Sequence, residues 1–225
     1  MKISIIIPTY NEAETITGLI SYLKKNNGTE IIVSDGGSID DTILLAKNAG
    51  ANAVVSPNKG RASQMNYGAS LATGDVFYFV HADTFPPASF IDDITNAVHD
   101  GFNLGRYQTK FNSTKFLLKL NAWFTKFDWF MCMGGDQTLF ITKKLFEKAG
   151  GYKQEMLIME EYEFCVRARK NERYKIFNNT TLVSARKYEG RSWLKVQRAN
   201  YIAIKMYKNG ASQKQIAHRY KQLLS

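Results

Sequence analysis

The chain has 225 residues, 44% of them hydrophobic and 22% charged. This ordinary globular composition excludes a disordered or low-complexity chain and fits the upper size range of one domain. The formal charge of +10 is concentrated: from Arg186 onward ten basic residues face only Glu189, a field that draws nucleic acid, an anionic membrane surface or a phosphorylated substrate without choosing among them.

Residues 3–7, ISIII, are apolar and β-branched and predict a buried strand stopped by Pro8. Asn11, with Glu14 three residues on, reads as a capping box for a helix carrying Ile16, Leu19, Ile20 and Leu23. A second strand spans Glu30 to Ser34, and Asp35-Gly36-Gly37 is a turn. Ser38 and Asp41 open a helix that ends at Gly50, and Ala53 to Val55 is a third strand. Residues 61–72 are helical, Asp75 to Val80 is an aromatic-rich strand, and Pro86-Pro87 introduces a helix to Val98. This alternation predicts an α/β fold, a mostly parallel sheet with helices on both faces.

Beyond residue 100 the pattern changes. Gly105 to Phe111 reads as a strand, 114–131 as an aromatic helix and 139–141 as a short strand. Residues 143–149 and 160–171 read as helices and 181–185 as a strand. Two C-terminal helices follow, split at Asn209-Gly210, the last with a Ser212/Gln215 capping box. The expected organisation is a core over 1–190 and basic helices over 191–225, packed on it or appended to it.

Cys132 and Cys165 lack metal-ligand spacing and read as buried free thiols of a reducing compartment. The first apolar run is too short for a signal peptide, and no apolar stretch reaches the length of a membrane span. The expectation is a cytoplasmic protein, and the three Asn-X-Ser/Thr sequons are chance matches on that reading.

Ligands of an open parallel sheet bind beyond the carboxyl ends of its strands. Three polar clusters follow strands and should share that edge: Pro8-Thr9-Tyr10-Asn11-Glu12, Asp35 within SDGGSIDDT, and His81-Ala82-Asp83. Asp35 could accept hydrogen bonds from a base or ribose, or only shape its turn. His81 and Asp83, two apart in an extended segment, would point the same way and suit Mn2+ or Mg2+ when a diphosphate adds oxygens; the alternative is a helix cap before Pro86. Glu160, Glu161 and Glu163 open a helix, where Glu163 would pair with Arg167 on a wet face. Glu161 instead aligns with Phe164, Cys165 and Ala168, as a pocket carboxylate or a costly core one; a charged first helical turn is the plainer reading. Gly134-Gly135-Asp136-Gln137 could meet an acceptor or shape a turn, and Lys59-Gly60-Arg61 could meet a phosphate or be a solvated loop.

In this order the segments IIIPTYNE (5–12), SDGGSIDDT (34–42), NKGRASQMNYGASLATGD (58–75), VHAD (80–83), GGDQ (134–137) and MEEYEF (159–164) resemble glycosyltransferase family 2, of the Rossmann-like GT-A fold. Within it the chain is most similar to a small bacterial branch with HAD in place of DXD and a later SAR motif, here Ser184-Ala185-Arg186. The resemblance implies a nucleotide-sugar donor such as a UDP- or GDP-sugar, bound by Pro8, Thr9, Tyr10, Glu12, Asp35, Gly37, Arg61, His81 and Arg186. It implies a divalent cation, Mn2+ or Mg2+, on Asp83 with His81, and an acceptor near Gly135, Asp136 and Gln137. The general base would be Glu161, where the family usually has Asp, with Glu160 as the alternative. The implied reaction is an in-line displacement that inverts the anomeric carbon and transfers the sugar to a hydroxyl acceptor.

The cationic tail, with Trp193, Leu194, Tyr201, Ile202, Ile204 and Met206, could lie on the inner face of the membrane near a lipid-linked acceptor. Alternatively its aromatics pack on the core or join two copies of the chain. Two other classes compete. A nucleotidyltransferase would carry a glycine-rich phosphate loop after the first strand, where this chain has PTYNEAE. A nucleic-acid-binding protein would not gather acidic clusters that repel phosphates, so no nucleic-acid partner is expected.

Overall fold

The computed structural model describes residues 1–26, 28–130 and 137–225. The elements run β1 (Ile3–Thr9), α1 (Ala13–Leu23), β2 (Thr29–Asp35), α2 (Thr42–Asn48), β3 (Asn52–Val55), α3 (Arg61–Leu71), β4 (Val76–Phe79), β5 (Thr84–Phe85) and α4 (Phe90–His99). They continue with β6 (Leu104–Phe111), α5 (Phe116–Phe124), β7 (Leu139–Thr142), α6 (Lys143–Lys148), α7 (Glu160–Ala168), β8 (Tyr174–Val183), α8 (Trp193–Lys208) and α9 (Gln213–Leu224). Among the described residues the strands form one eight-stranded sheet, in the order β3-β2-β1-β4-β7-β6-β8-β5. The first four in that order are parallel, whereas β7 runs antiparallel to both β4 and β6.

The isoleucines of β1 are buried on both faces, which is why that strand reads as a continuous apolar run. Ile3, Ile5 and Ile7 join α1 and α4 in one core through Ile16, Leu19, Ile20, Phe90 and Ile94. Ile6 faces the other layer, where α3, α6 and α7 supply Met65, Leu145, Phe146 and Phe164. A third cluster, Phe111, Leu118, Val183, Tyr188 and Val196, seats α5 and α8 against the ends of β6 and β8.

The α/β architecture matches the sequence reading, with local corrections. Pro8 lies inside β1, opposite Ser34 of β2. It is tolerated because β4 pairs with β1 only as far as Ile6 and Phe79, so no ladder partner needs its missing N–H. Asn11 is no helix cap: α1 follows Glu12 without a side-chain cap, and Asn11 holds a left-handed φ of 54°. The aromatic helix is only Phe116–Phe124, and β8 starts well before residue 181, at Tyr174. The two-residue β5, which pairs with β8, is too short to leave a sequence signal. The Ser212/Gln215 capping box is present as expected. Among the described residues no helix is long and apolar enough to cross a membrane.

Candidate active site

The carboxyl ends of β2, β1 and β4 stand side by side, and the three expected clusters converge there. Thr9 is in register with Asp35, and the Thr9 hydroxyl donates to the Asp35 carboxylate at 3.1 Å. Asp35 is fully buried and also accepts from Gly37 N (2.8 Å), Ser38 N (2.7 Å) and Ser38 Oγ (2.5 Å). These four bonds occupy the four acceptor sites of a carboxylate. Asp35 therefore shapes the turn, and a nucleobase would have to displace the Ser38 hydroxyl to reach it. Gly37, at φ 85°, gives the turn its left-handed step.

The loops after β1 and β2 are laced together. Asn11 N donates to Ser38 Oγ at 2.7 Å, Ile39 N to Asn11 Oδ1 at 3.0 Å, and Glu12 N to Thr42 Oγ1 at 2.8 Å. Beneath them the buried Gln64 amide donates to the carbonyls of Thr9 (2.5 Å) and Ser34 (3.0 Å). Gln64 thus ties the ends of β1 and β2 from α3. Sequence reading missed it because a lone amide on a weakly amphipathic helix carries no pattern.

His81 and Asp83 are not in an extended segment as expected. Thr84 N donates to His81 O at 3.1 Å, closing a turn, and Ser184 N donates to Asp83 O at 3.1 Å. That bond brings the SAR segment to the HAD segment. Arg186 reaches over to Glu12 at 2.6 Å and 2.8 Å, so the tail's first cation closes over this edge of the sheet. Its pKa is raised by the Glu12 hydrogen bond, with burial opposing and the charge of Asp83 assisting.

The fourth cluster arrives from the other side of the chain. Met159, at φ 66°, turns sharply into α7, whose first turn holds Glu160, Glu161 and Glu163, all buried. The helix N-terminus favours these charges. His81 Nε2 lies 2.9 Å from Glu161 Oε1. Burial works to lower the His81 pKa, but the charge and hydrogen bond of Glu161 outweigh it, and the net shift is upward. Glu160 pairs with Arg61 at 3.2 Å. Burial raises the Glu160 pKa, Arg61 opposes this and neighbouring Glu161 reinforces it. Glu163 does pair with Arg167, at 2.8 Å, but not on a wet face: it is 8% exposed and also meets Lys153 at 3.1 Å. Burial pushes the free thiol of Cys165, on the inner face of this helix, up to about 12.

A cavity of about 770 Å³ opens between α5, the start of α7 and the two C-terminal helices. Arg61, Glu160 and Glu161 line it, as do Gln137, Trp193 and Tyr201. Asp35, His81 and Asp83 do not, so the two sides of the site meet at Glu161. The expected acceptor residues Gly135 and Asp136, like Cys132, lie outside the described residues. Among the described residues no group of three or more His, Cys, Asp or Glu is placed to hold a metal.

The sequence matches the profile "Glycosyl transferase family 2" over residues 4–153, more than half of the chain. The chain belongs to glycosyltransferase family 2. Membership favours the transferase reading over the nucleotidyltransferase and nucleic-acid-binding ones. Glycosyltransferase AglJ of Haloferax volcanii is 46% identical over 59 residues, 26% of this chain and 20% of that protein. The dolichol-phosphate mannosyltransferase of Pyrococcus furiosus is 33% identical over 112 residues, 46% of this chain and 32% of that one. Each alignment thus spans a third or less of the relative's length. Among solved structures, S. aureus TarS 1–349 in complex with UDP-GlcNAc aligns over 100% of this chain and 72% of its own, with TM-score 0.69 and 16% identity. Mannosyltransferase PcManGT from Pyrobaculum calidifontis, in complex with GDP-Man and Mn2+, aligns over 98% and 69%, with TM-score 0.72 and 16% identity. At this identity the likeness establishes the GT-A fold.

Proposed function

We propose that this glycosyltransferase moves a sugar from a nucleotide-diphosphate sugar to a hydroxyl acceptor with inversion, Glu161 acting as general base. The observation that carries the reading is the position of Glu161. It is 2.9 Å from His81 on the nucleotide edge and also lines the large cavity.

The nucleoside side is formed by Pro8, Thr9, Tyr10, Glu12, Asp35 and Gly37. Tyr10, 53% exposed, is the ring available to stack on a base. Asp83 is the carboxylate suited to a hard divalent cation, because it lies partly exposed at the strand edge and the diphosphate would complete the oxygen shell. The Nε2 of His81 is engaged by Glu161, so His81 serves the base rather than the cation. When bound, Mn2+ or Mg2+ neutralises charge on the departing diphosphate.

The acceptor enters from the cavity, past Gln137 and Arg61. Its hydroxyl proton passes to the Glu161 carboxylate as its oxygen bonds to the anomeric carbon. The bond from that carbon to the phosphate oxygen breaks, and the nucleoside diphosphate leaves with the electron pair. Arg186 and Arg61 stand beside the growing negative charge. His81, hydrogen-bonded to Glu161, fixes the carboxylate in place.

Calorimetric titration with UDP and GDP, with and without Mn2+, tests the donor side. The wild type should bind one of them more tightly with Mn2+, and Asp83→Asn should lose that gain. Equal enhancement in Asp83→Asn would remove the cation from Asp83.

A further inference from the structure

Helix α5 leaves an apolar face partly exposed. Phe116, Leu117, Leu120 and Trp123 fall on one side of it at helical spacing and are 74%, 41%, 36% and 49% exposed. The helix buries only Leu118. Its far end is firmly held: the buried Arg106 guanidinium donates to Thr125 O at 2.5 Å and Phe127 O at 3.0 Å, just past its C-terminus. The face is therefore displayed on a fixed support.

The first turn of α8 continues this surface. Lys115, Phe116 and Leu117 share a shallow cleft with Arg191, Ser192 and Trp193, and the adjoining Leu194 is 70% exposed. No Asp or Glu occurs between Asp100 and Asp128, nor after Glu189. Asp128 itself is paired with Arg169. Lys115, Lys119 and Lys126 flank or interleave the apolar residues of α5, and Arg191 and Lys195 those at the start of α8, with Glu189 the one acidic residue near them in the chain. The Lys126 ammonium sits 3.8 Å from the Trp123 ring centre, an amphipathic pair of the kind found at membrane–water interfaces.

We propose that the exposed face of α5, with the first turn of α8, docks the protein onto an anionic lipid surface. Apolar side chains ringed by cations match acyl chains beneath acidic headgroups. A second copy of this chain fits less well, because pairing these faces would bring five cations on each side together against Glu189 alone. The sequence offers the tail as a whole as one candidate for membrane contact; the proposal places that contact on α5, with only the tail's first turn contributing. The same two helices line the large cavity through Asn121, Phe124, Trp193 and Gln197, so docking here would turn the cavity toward the bilayer.

The proposal goes beyond the transferase reading and does not depend on it. Vesicle flotation tests it, with phosphatidylcholine vesicles carrying or lacking phosphatidylglycerol. The wild type should float with the anionic vesicles and bind neutral ones, or anionic ones in high salt, about tenfold or more weakly. Phe116→Ser/Leu120→Ser should lose about tenfold or more of that binding. The equally apolar-to-polar control Leu44→Ser/Val55→Ser, on exposed residues at the other end of the sheet, should keep it. Circular dichroism and nucleoside diphosphate titration on the same samples report folding and the donor site separately. If Phe116→Ser/Leu120→Ser does not fold, acyl chains carrying bromine should still quench wild-type tryptophan fluorescence, and Trp123→Phe should reduce that quenching. Absence of wild-type flotation, equal binding to both vesicle types, wild-type flotation by a folded Phe116→Ser/Leu120→Ser, or quenching unchanged in Trp123→Phe would each overturn the proposal. So would a dimer without vesicle binding that the α5 variant dissolves.

Discussion

His81 and Glu161 form the contact that joins the two halves of the site. Nε2 of the histidine lies 2.9 Å from Oε1 of the glutamate, linking the turn after β4 to the first turn of α7. The carboxyl edge of the sheet and the cavity meet across this pair.

Glu161→Gln should keep nucleoside diphosphate affinity and lose about 10²–10⁴-fold in turnover, the usual cost of removing a general base. His81→Gln should lower kcat more than it raises the donor KM, because it loosens the base while leaving Tyr10 and the Asp35 turn unaltered. Steady-state kinetics with donor titrations check both. A His81→Gln enzyme affected only in donor KM would place His81 on the donor instead.

The same pair makes stability depend on pH. The folded-state pKa of His81 is raised above its ordinary 6.5, so its contribution is fully present below that value. It is lost as pH rises through the folded-state pKa. Urea unfolding across this range should show stability falling with pH in the wild type, and that segment should flatten in His81→Gln.

Glu160 and Arg61 make a different prediction. The Glu160 pKa is raised chiefly by burial, so ionising it at neutral pH works against the fold and Arg61 limits the cost. Arg61→Met should destabilise by about 1–3 kcal/mol at neutral pH, less than for a fully buried pair because Arg61 is 48% exposed. Glu160→Gln should be neutral or stabilising there, and should restore much of the loss in the Arg61→Met background. Denaturant unfolding of the three variants measures this.

Much of this site was legible because its residues follow strands. Topology sends Thr9, Asp35 and Asp83 to one edge, and the apolar run of β1 announces a strand buried on both faces. What escaped depends on contacts between distant segments. The Gln64 amide, the Ser184 bond to Asp83 and the partnership of His81 with Glu161 have no local signature. Asn11 follows the same logic: its sequence fits a capping box, but Ser38 and Ile39 from another loop take its backbone N–H and side chain. The apolar pattern of the aromatic helix continues past Phe124, but there the backbone passes into i→i−3 turns at Thr125, Lys126 and Phe127, which a hydrophobic pattern does not distinguish from a helix.

Gly105 tests the sheet where its strand direction reverses. A Cβ there would fall 2.6 Å from the Phe140 ring and against the Lys175 carbonyl. Gly105→Ala should therefore destabilise by about 1–3 kcal/mol, read from the thermal or urea midpoint. A neutral result would mean that β6 packs less closely against β7 and β8 than these contacts require.

The most direct measurement is a crystal structure with a nucleoside diphosphate and Mn2+ bound. The account predicts the cation on Asp83 and the diphosphate, the base beside Tyr10 and the Asp35 turn, and the Glu161 carboxylate facing an open acceptor path. A diphosphate bound away from Asp83, or Glu161 shielded from the cavity by the bound donor, would contradict it.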